Sequence, residues 1–160
     1  MDSFVESVPN VSEGTDQATL DAIAESIDSF AGTWLLDRTA DPDHGRAVYT
    51  LAGYPGRVMH ALEAVVGVAI ERIDMNRQVG RHPRIGAVDV IPFVPLGDTT
   101  MEQCVAGARE LGARLAERYR LPVYLYAKAA TTPERAILAQ VRRPRYEGLS
   151  EALARSGGQP

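Results

Sequence analysis

A chain of 160 residues with a 45% apolar share has room for one domain with a sizeable hydrophobic core. Its formal charge of -4 speaks against a nucleic-acid surface, which relies on clustered cations to neutralise phosphates, and the short basic run Arg142, Arg143, Arg145 does not reverse that balance. A single cysteine, Cys104, excludes an intrachain disulfide framework and a multi-cysteine metal site and fits a reducing compartment, so the cytosol is the expected location.

The opening Met1-Asp2-Ser3 lacks the basic start of a signal peptide. Residues 4–9 are expected as a short strand, and Asn10-Val11-Ser12-Glu13-Gly14 then supplies turn formers. A helical pattern starts near Asp16, with Leu20, Ile23, Ala24, Ile27 and Phe30 on one face, and stops at Gly32. Trp34-Leu35-Leu36 and residues 47–51 read as strands, separated by a polar loop from Asp37 to Arg46 with Asp-Pro and His-Gly turn signals. A second helix is expected over 56–73, burying Val58, Leu62, Val65, Ala69 and Ile73. It carries Glu63 and Glu71 and falls short of a membrane span, so no membrane is expected as a partner. Residues 74–84 are polar and irregular. A strand over 88–94 follows, which Pro92 pushes towards an edge or a bulge.

Thr99 and Glu102 fit a capping box ahead of a third helix carrying Cys104, Ala108, Leu111, Leu115 and Tyr119 on one face. Residues 122–126 read as a further strand, and Thr132-Pro133 opens a last short helix holding Ile137, Leu138 and Val141. Strands alternating with helices predict an α/β layered sandwich, a mixed β-sheet covered by helices. The domain is expected to occupy residues 1–149, with a linker or flexible tail over 150–160.

No Gly-rich phosphate loop, G-x-S-x-G elbow or H-E-x-x-H pair is present. Two polar clusters at strand ends remain, the place where α/β proteins hold ligands. One is Arg81-His82-Pro83-Arg84, in which an imidazole able to exchange a proton near neutral pH lies between guanidiniums able to grip a carboxylate. The other is Asp37, Asp41, Asp43, His44 and Arg46, where carboxylates could orient an imidazole or stabilise a cation. Solvated loops remain the plainer explanation of both patterns. His60, within the second helix, reads as structural, and Cys104 as an inert core thiol.

Several blocks then carry a family likeness. Val8-Pro9-Asn10-Val11-Ser12-Glu13-Gly14, Leu35-Leu36-Asp37, Asp41-Pro42-Asp43-His44-Gly45-Arg46, Val48-Tyr49-Thr50 and Ile73-Asp74-Met75 come in order. They are followed by the run from His82 to Val90, by Pro92-Phe93-Val94-Pro95, and by Pro122-Val123-Tyr124-Leu125-Tyr126. This collinear set, spread over 7–149, resembles the amino-terminal subdomain of the glutamate formiminotransferase family. The resemblance implies transfer of a formimino group from N-formimino-L-glutamate to tetrahydrofolate in histidine degradation and one-carbon metabolism.

It places the catalytic histidine at His82 and implies folate or substrate binding by Arg46, Arg81 and Arg84, with Asp37, Thr39, Asp41 and His44 nearby. Thr39 stands where some members carry an aspartate that assists the histidine, and Gly45 where the family has asparagine. Tetrahydrofolate enters as co-substrate, and no metal is implied. A carboxyl-terminal subdomain or partner chain would complete the site, and a homo-oligomer is compatible with it. The same chemistry admits N-formyl-glutamate as donor. The alternative is a non-catalytic folate-binding or protein-interaction module that keeps the fold without the second half.

Overall fold

The computed structural model describes residues 3–156. Two strands, β1 (Ser3–Ser7) and β2 (Asn10–Val11), form one extended run interrupted at Val8-Pro9. Both pair antiparallel with β4 (Arg46–Gly53), and the register passes from Ser7↔Leu51 to Asn10↔Val48 without a slip. Proline has no N–H to give to a ladder, but the Pro9 carbonyl still accepts from Tyr49 N at 3.1 Å. The same happens on the far side of this run, where β5 (Val88–Val90) and β6 (Phe93–Gly97) are separated by Ile91-Pro92. There the Ser7 hydroxyl donates to the Pro92 carbonyl at 2.6 Å. The remaining strand, β3 (Thr33–Asp41), pairs with the opposite edge of β4.

Every pairing among the described residues is antiparallel, where a mixed sheet was expected. The reason lies in the crossovers. The helix after β1–β2 leads to β3, which runs parallel to β1 but with β4 between them. The helix after β4 leads to β5–β6, parallel to β4 but with β1–β2 between. Each helical connection thus skips one strand, the split β-α-β arrangement, and parallel strands never touch.

Those helices are α1 (Gln17–Asp28), α2 (Pro55–Arg72) and, after β6, α3 (Met101–Tyr119). Asp16 caps α1 by accepting from Ala18 N, and Pro55 opens α2 at a position that needs no N–H. The capping box of α3 is formed by Thr100 and Gln103, one residue on from the Thr99–Glu102 pair expected. Val5, Ser7, Pro9 and Val11, with Ala47, Tyr49, Leu51 and Gly53, turn to the helices. There they meet Leu20, Ile23, Ile27, Val58, Leu62 and Val65, all of them 2% exposed or less. Leu62 lies at the centre of this layer, so Leu62→Ala is expected to cost about 2–5 kcal/mol. Denaturant unfolding of the chain measures it, and a loss below about 1 kcal/mol would contradict the packing.

Four other expectations change. The polar stretch 37–41 is strand rather than loop, because β3 continues to Asp41 opposite Arg46. Residues 122–126 pair with no strand among those described; Val123 and Leu125 pack on Gly112 of α3 instead, which explains their apolar character. The last short helix is divided into a 3-10 turn (Pro133–Arg135) and α4 (Leu138–Val141). Beyond it, α5 (Arg145–Arg155) takes up most of the segment expected as a tail, while 157–160 lie outside the described residues. No helix of the described residues is long and apolar enough to cross a membrane. His60 is exposed and lies against the Phe30 ring, with centroids 6.4 Å apart. Cys104 is buried and its thiol is pushed up by that burial.

Among the described residues nothing covers the face of the sheet opposite the helices. That face carries Phe4 between Trp34 and Tyr54, with ring centroids 6.3 and 5.0 Å away. Trp34 is 50% and Leu36 61% exposed.

Candidate active site

The site is built where the α2–β5 loop, residues 73–87, meets the β3–β4 hairpin. Asp41 shapes the hairpin tip, accepting from His44 N at 3.0 Å through Oδ1 and contacting His44 Nδ1 at 2.6 Å through Oδ2. Hydrogen bonds from the His44 backbone and ring hold the Asp41 carboxyl below its ordinary range. The tip then turns at Gly45, whose φ is +63°. That is the left-handed region glycine enters freely.

Loop and tip join through their backbones. Arg81 N donates to Asp43 O at 3.3 Å and His82 N to His44 O at 3.4 Å. Gly80 lies against the His44 carbonyl so closely that an added Cβ would overlap it. Gly80→Val is therefore expected to push the loop off the hairpin. The check is amide hydrogen exchange at Arg81 and His82, which should become at least about tenfold faster; unchanged protection would contradict the contact.

Below the tip, the Val8-to-Gly14 block acts as a support. Ser12 donates from N to Ala87 O at 2.8 Å and from its hydroxyl to Gly86 O at 2.7 Å. Buried Glu13 accepts from the backbone N–H groups of Gly14, Thr15 and Asp16 through Oε1 and from Gln78 Nε2 at 2.7 Å through Oε2. Burial works against its ionisation, but the bonds from Thr15, Asp16 and Gln78 outweigh it and hold the carboxyl below the usual glutamate range. The sign follows directly. A depressed folded-state value stabilises above the unfolded range and is lost as pH falls through the folded value. Acidification is expected to release Gln78 and loosen the 73–87 loop, and the Glu13→Gln variant should lose this acid sensitivity when exchange in the loop is followed against pH.

His82 emerges half-buried from this support. Its imidazole is held below the ordinary histidine value by burial first, then by the positive charges of Arg46 and Arg142, while Asp89 pulls the other way. That shift favours the neutral imidazole, the form that can accept a proton. Arg46, at the start of β4, is the register partner of Asp41. Arg38 is turned to α1 by its 2.6 Å bond to Asp21, so by strand alternation its neighbours Asp37 and Thr39 project from the opposite, open face. His82, His44, Asp41 and Arg46 are thus brought together at one end of the sheet. Asp37 and Thr39 extend from them along β3, and Arg81 is exposed beside them.

Arg84 is not with them. Expected among the substrate-binding arginines, it is instead buried, donating to Gln78 O at 2.6 Å and to Glu147 Oε1 at 3.4 Å. Its carbonyl accepts from Tyr146 N at 2.8 Å, so it ties the loop to α5. Asp89, and Arg142 beyond its place in a basic run, were not marked in the sequence as site residues. Asp89 has its side chain 2% exposed and accepts from Ile85 N at 3.1 Å and from Arg142 Nη2. An acidic residue inside the apolar run Val88 to Val94 was the available signal, because a buried carboxylate requires a partner.

Residues 4–160 match the model of the formiminotransferase domain, N-terminal subdomain. The chain is 46% identical over 160 residues to the glutamate formimidoyltransferase of Thermoplasma acidophilum, covering 99% of this chain and 53% of that protein. It is 41% identical over 153 residues to the glutamate formimidoyltransferase of Streptococcus pyogenes, covering 96% and 51%. Against the formimidoyltransferase-cyclodeaminase of Mus musculus the identity is 45% over 153 residues, 96% of this chain and 28% of that protein. The chain therefore spans about half the length of the curated glutamate formimidoyltransferases it matches, and less than a third of the mouse protein.

Proposed function

We propose, for a chain that belongs to the formiminotransferase N-terminal subdomain family, that it supplies the proton-transferring wall of a folate-dependent formimino transfer. The observation that carries this reading is the placement of His82: a half-buried imidazole, depressed by burial and by Arg46, standing where loop, hairpin and open sheet face converge. The reaction asks for one proton to be removed and one delivered. As N5 of tetrahydrofolate attacks the amidine carbon of N-formimino-L-glutamate, a new C–N bond forms and His82 takes the proton from N5. As the bond from that carbon to the glutamate nitrogen breaks, the imidazolium returns a proton to the departing nitrogen. One base performs both steps in sequence, and 5-formimino-tetrahydrofolate and glutamate are released.

Arg46 and exposed Arg81 hold carboxylates of the donor and of folate. Asp41 and His44 form the wall beside His82, and Asp37 and Thr39 line the approach along β3. Arg84 keeps the loop in place and does not bind substrate. The second wall comes from a carboxyl-terminal subdomain or partner chain, consistent with relatives about twice as long and with the exposed Trp34 and Tyr54 on the open face. The process belongs to histidine degradation and one-carbon metabolism in the cytoplasm.

Replacing Arg46 with Met is expected to raise the donor KM roughly tenfold while kcat changes only a few-fold, the signature of lost binding. A fall in kcat with unchanged KM would remove Arg46 from substrate binding. Comparing N-formimino- with N-formyl-L-glutamate tests the reading itself. Transfer from the formimino donor supports it, whereas transfer from neither donor, with tight binding of reduced folate, would replace it by a non-catalytic folate-binding module.

A further inference from the structure

His82 rests on a charged pair that no surface pattern announces. Asp89 leaves the middle of β5, and its carboxylate is divided between two tasks: Oδ1 accepts from the backbone N–H of Ile85 at 3.1 Å, and Oδ2 accepts from Arg142 Nη2. The side chains are 2% and 19% exposed. Arg142 follows α4; among the described residues its Nε is buried without a hydrogen-bond partner, and Asp89 is its ion-pair partner. A buried ion pair contributes little net stability compared with an apolar pair of the same volume, whereas removing one partner leaves a costly lone charge. Such a pair at the base of a proton-transfer loop calls for a reason other than stability.

We propose that Asp89 and Arg142 form a buried positioning pair for His82. The inference rests on the transferase reading for its catalytic consequence, but not for its physical content. Ile85 is three residues beyond His82, and the segment between them is short and carries Pro83. Its far end is pinned to β5 by Asp89, and its near end is pinned to the hairpin by the His82 N contact with His44 O at 3.4 Å. Asp89 therefore determines where the imidazole stands without touching substrate.

The pair also faces the imidazole electrostatically. Arg46 from β4 and His44 from the hairpin disfavour its protonation, Arg142 does the same from beyond α4, and Asp89 from β5 favours it. Arg81 and Arg84 share its own loop. Asp89→Asn keeps an oxygen for Ile85 N but removes the charge, leaving Arg142 unopposed. Arg142→Gln removes the opposing cation and leaves Asp89 unopposed. All the other groups are common to both variants, so the two changes should move His82 in opposite directions.

The test is NMR titration of the His82 imidazole in the full chain. The midpoint is expected to fall by roughly half a pH unit or more in Asp89→Asn and to rise by a similar amount in Arg142→Gln. Movement in the same direction, or none in either folded variant, would overturn the pairing. Should Asp89→Asn fail to fold, Arg142→Gln against Arg142→Lys decides the matter: an upward shift in the first and a near-normal midpoint in the second support it, and equal midpoints refute it. In an active assembly with the second half, Asp89→Ala, which removes the acceptor for Ile85 N along with the charge, is expected to lower kcat about ten- to a hundredfold with the donor KM within about threefold, as misplacement of a proton-transfer group does. Unchanged kcat there would refute positioning. An inactive unmodified assembly would refute the transferase reading instead, leaving the titration to decide the pair.

Discussion

The His82→Ala variant, in an assembly that transfers formimino groups, is expected to turn over about a hundredfold more slowly, the usual worth of a positioned acid–base group. On the proposed reading both proton transfers run through this one side chain, so its removal should affect attack on the amidine and departure of glutamate alike. The effect should fall on kcat and on kcat/KM together, with the donor KM little changed, because the imidazole acts on the transition state more than on the bound donor. Folding should survive the change, since the loop is held by Glu13, Ser12, Arg84 and Asp89 and not by the His82 side chain. The pH profile supplies a second reading. A histidine held below its ordinary value by burial and by Arg46 and Arg142 stays an effective base to lower pH than a free imidazole. The acid limb of kcat/KM should accordingly lie below the ordinary histidine range. Turnover equal to the unmodified protein would remove His82 from the mechanism.

The purified chain by itself is expected to fold and yet to transfer formimino groups at least about a hundredfold more slowly than it does together with the carboxyl-terminal subdomain of a related enzyme. Folding follows from the continuous core between sheet and helices, in which Tyr49, Ile23, Ile27, Leu51 and Leu62 are fully buried. Weak activity follows from the other side of the sheet. On the proposed reading folate N5 and the amidine carbon must be held at near-attack distance, and a site with one wall would let both drift and admit water around the cationic intermediate. Steady-state turnover over a range of chain concentrations, first alone and then on mixing, measures the effect. Activity that appears on mixing supports a shared site, and activity rising steeply with concentration in the chain alone would assign the second wall to another copy. Strong activity independent of concentration would overturn the prediction.

The local order of elements was readable from the chain because its causes are local. Helical spacing marked α1, α2 and α3, and Pro9 and Pro92 sit at the two breaks where a missing N–H interrupts a ladder. His82, His44, Asp41 and Arg46 were recognisable as chemically capable residues, and the loop and hairpin were recognisable as separate segments. Their union was not, because residues 44 and 82 meet only through tertiary backbone contacts. The antiparallel sheet likewise depends on which strand lies between two others, a matter of long-range packing that residue periodicity does not carry. Arg84 and Arg142 make the point most sharply. Both look in sequence like ordinary surface arginines beside basic neighbours, and both are turned inward, one onto Gln78 and Glu147, the other onto Asp89. A guanidinium reads the same in a sequence whether it faces water or a buried acceptor, and only the three-dimensional position of that acceptor decides whether it stays at the surface or holds the loop that carries His82.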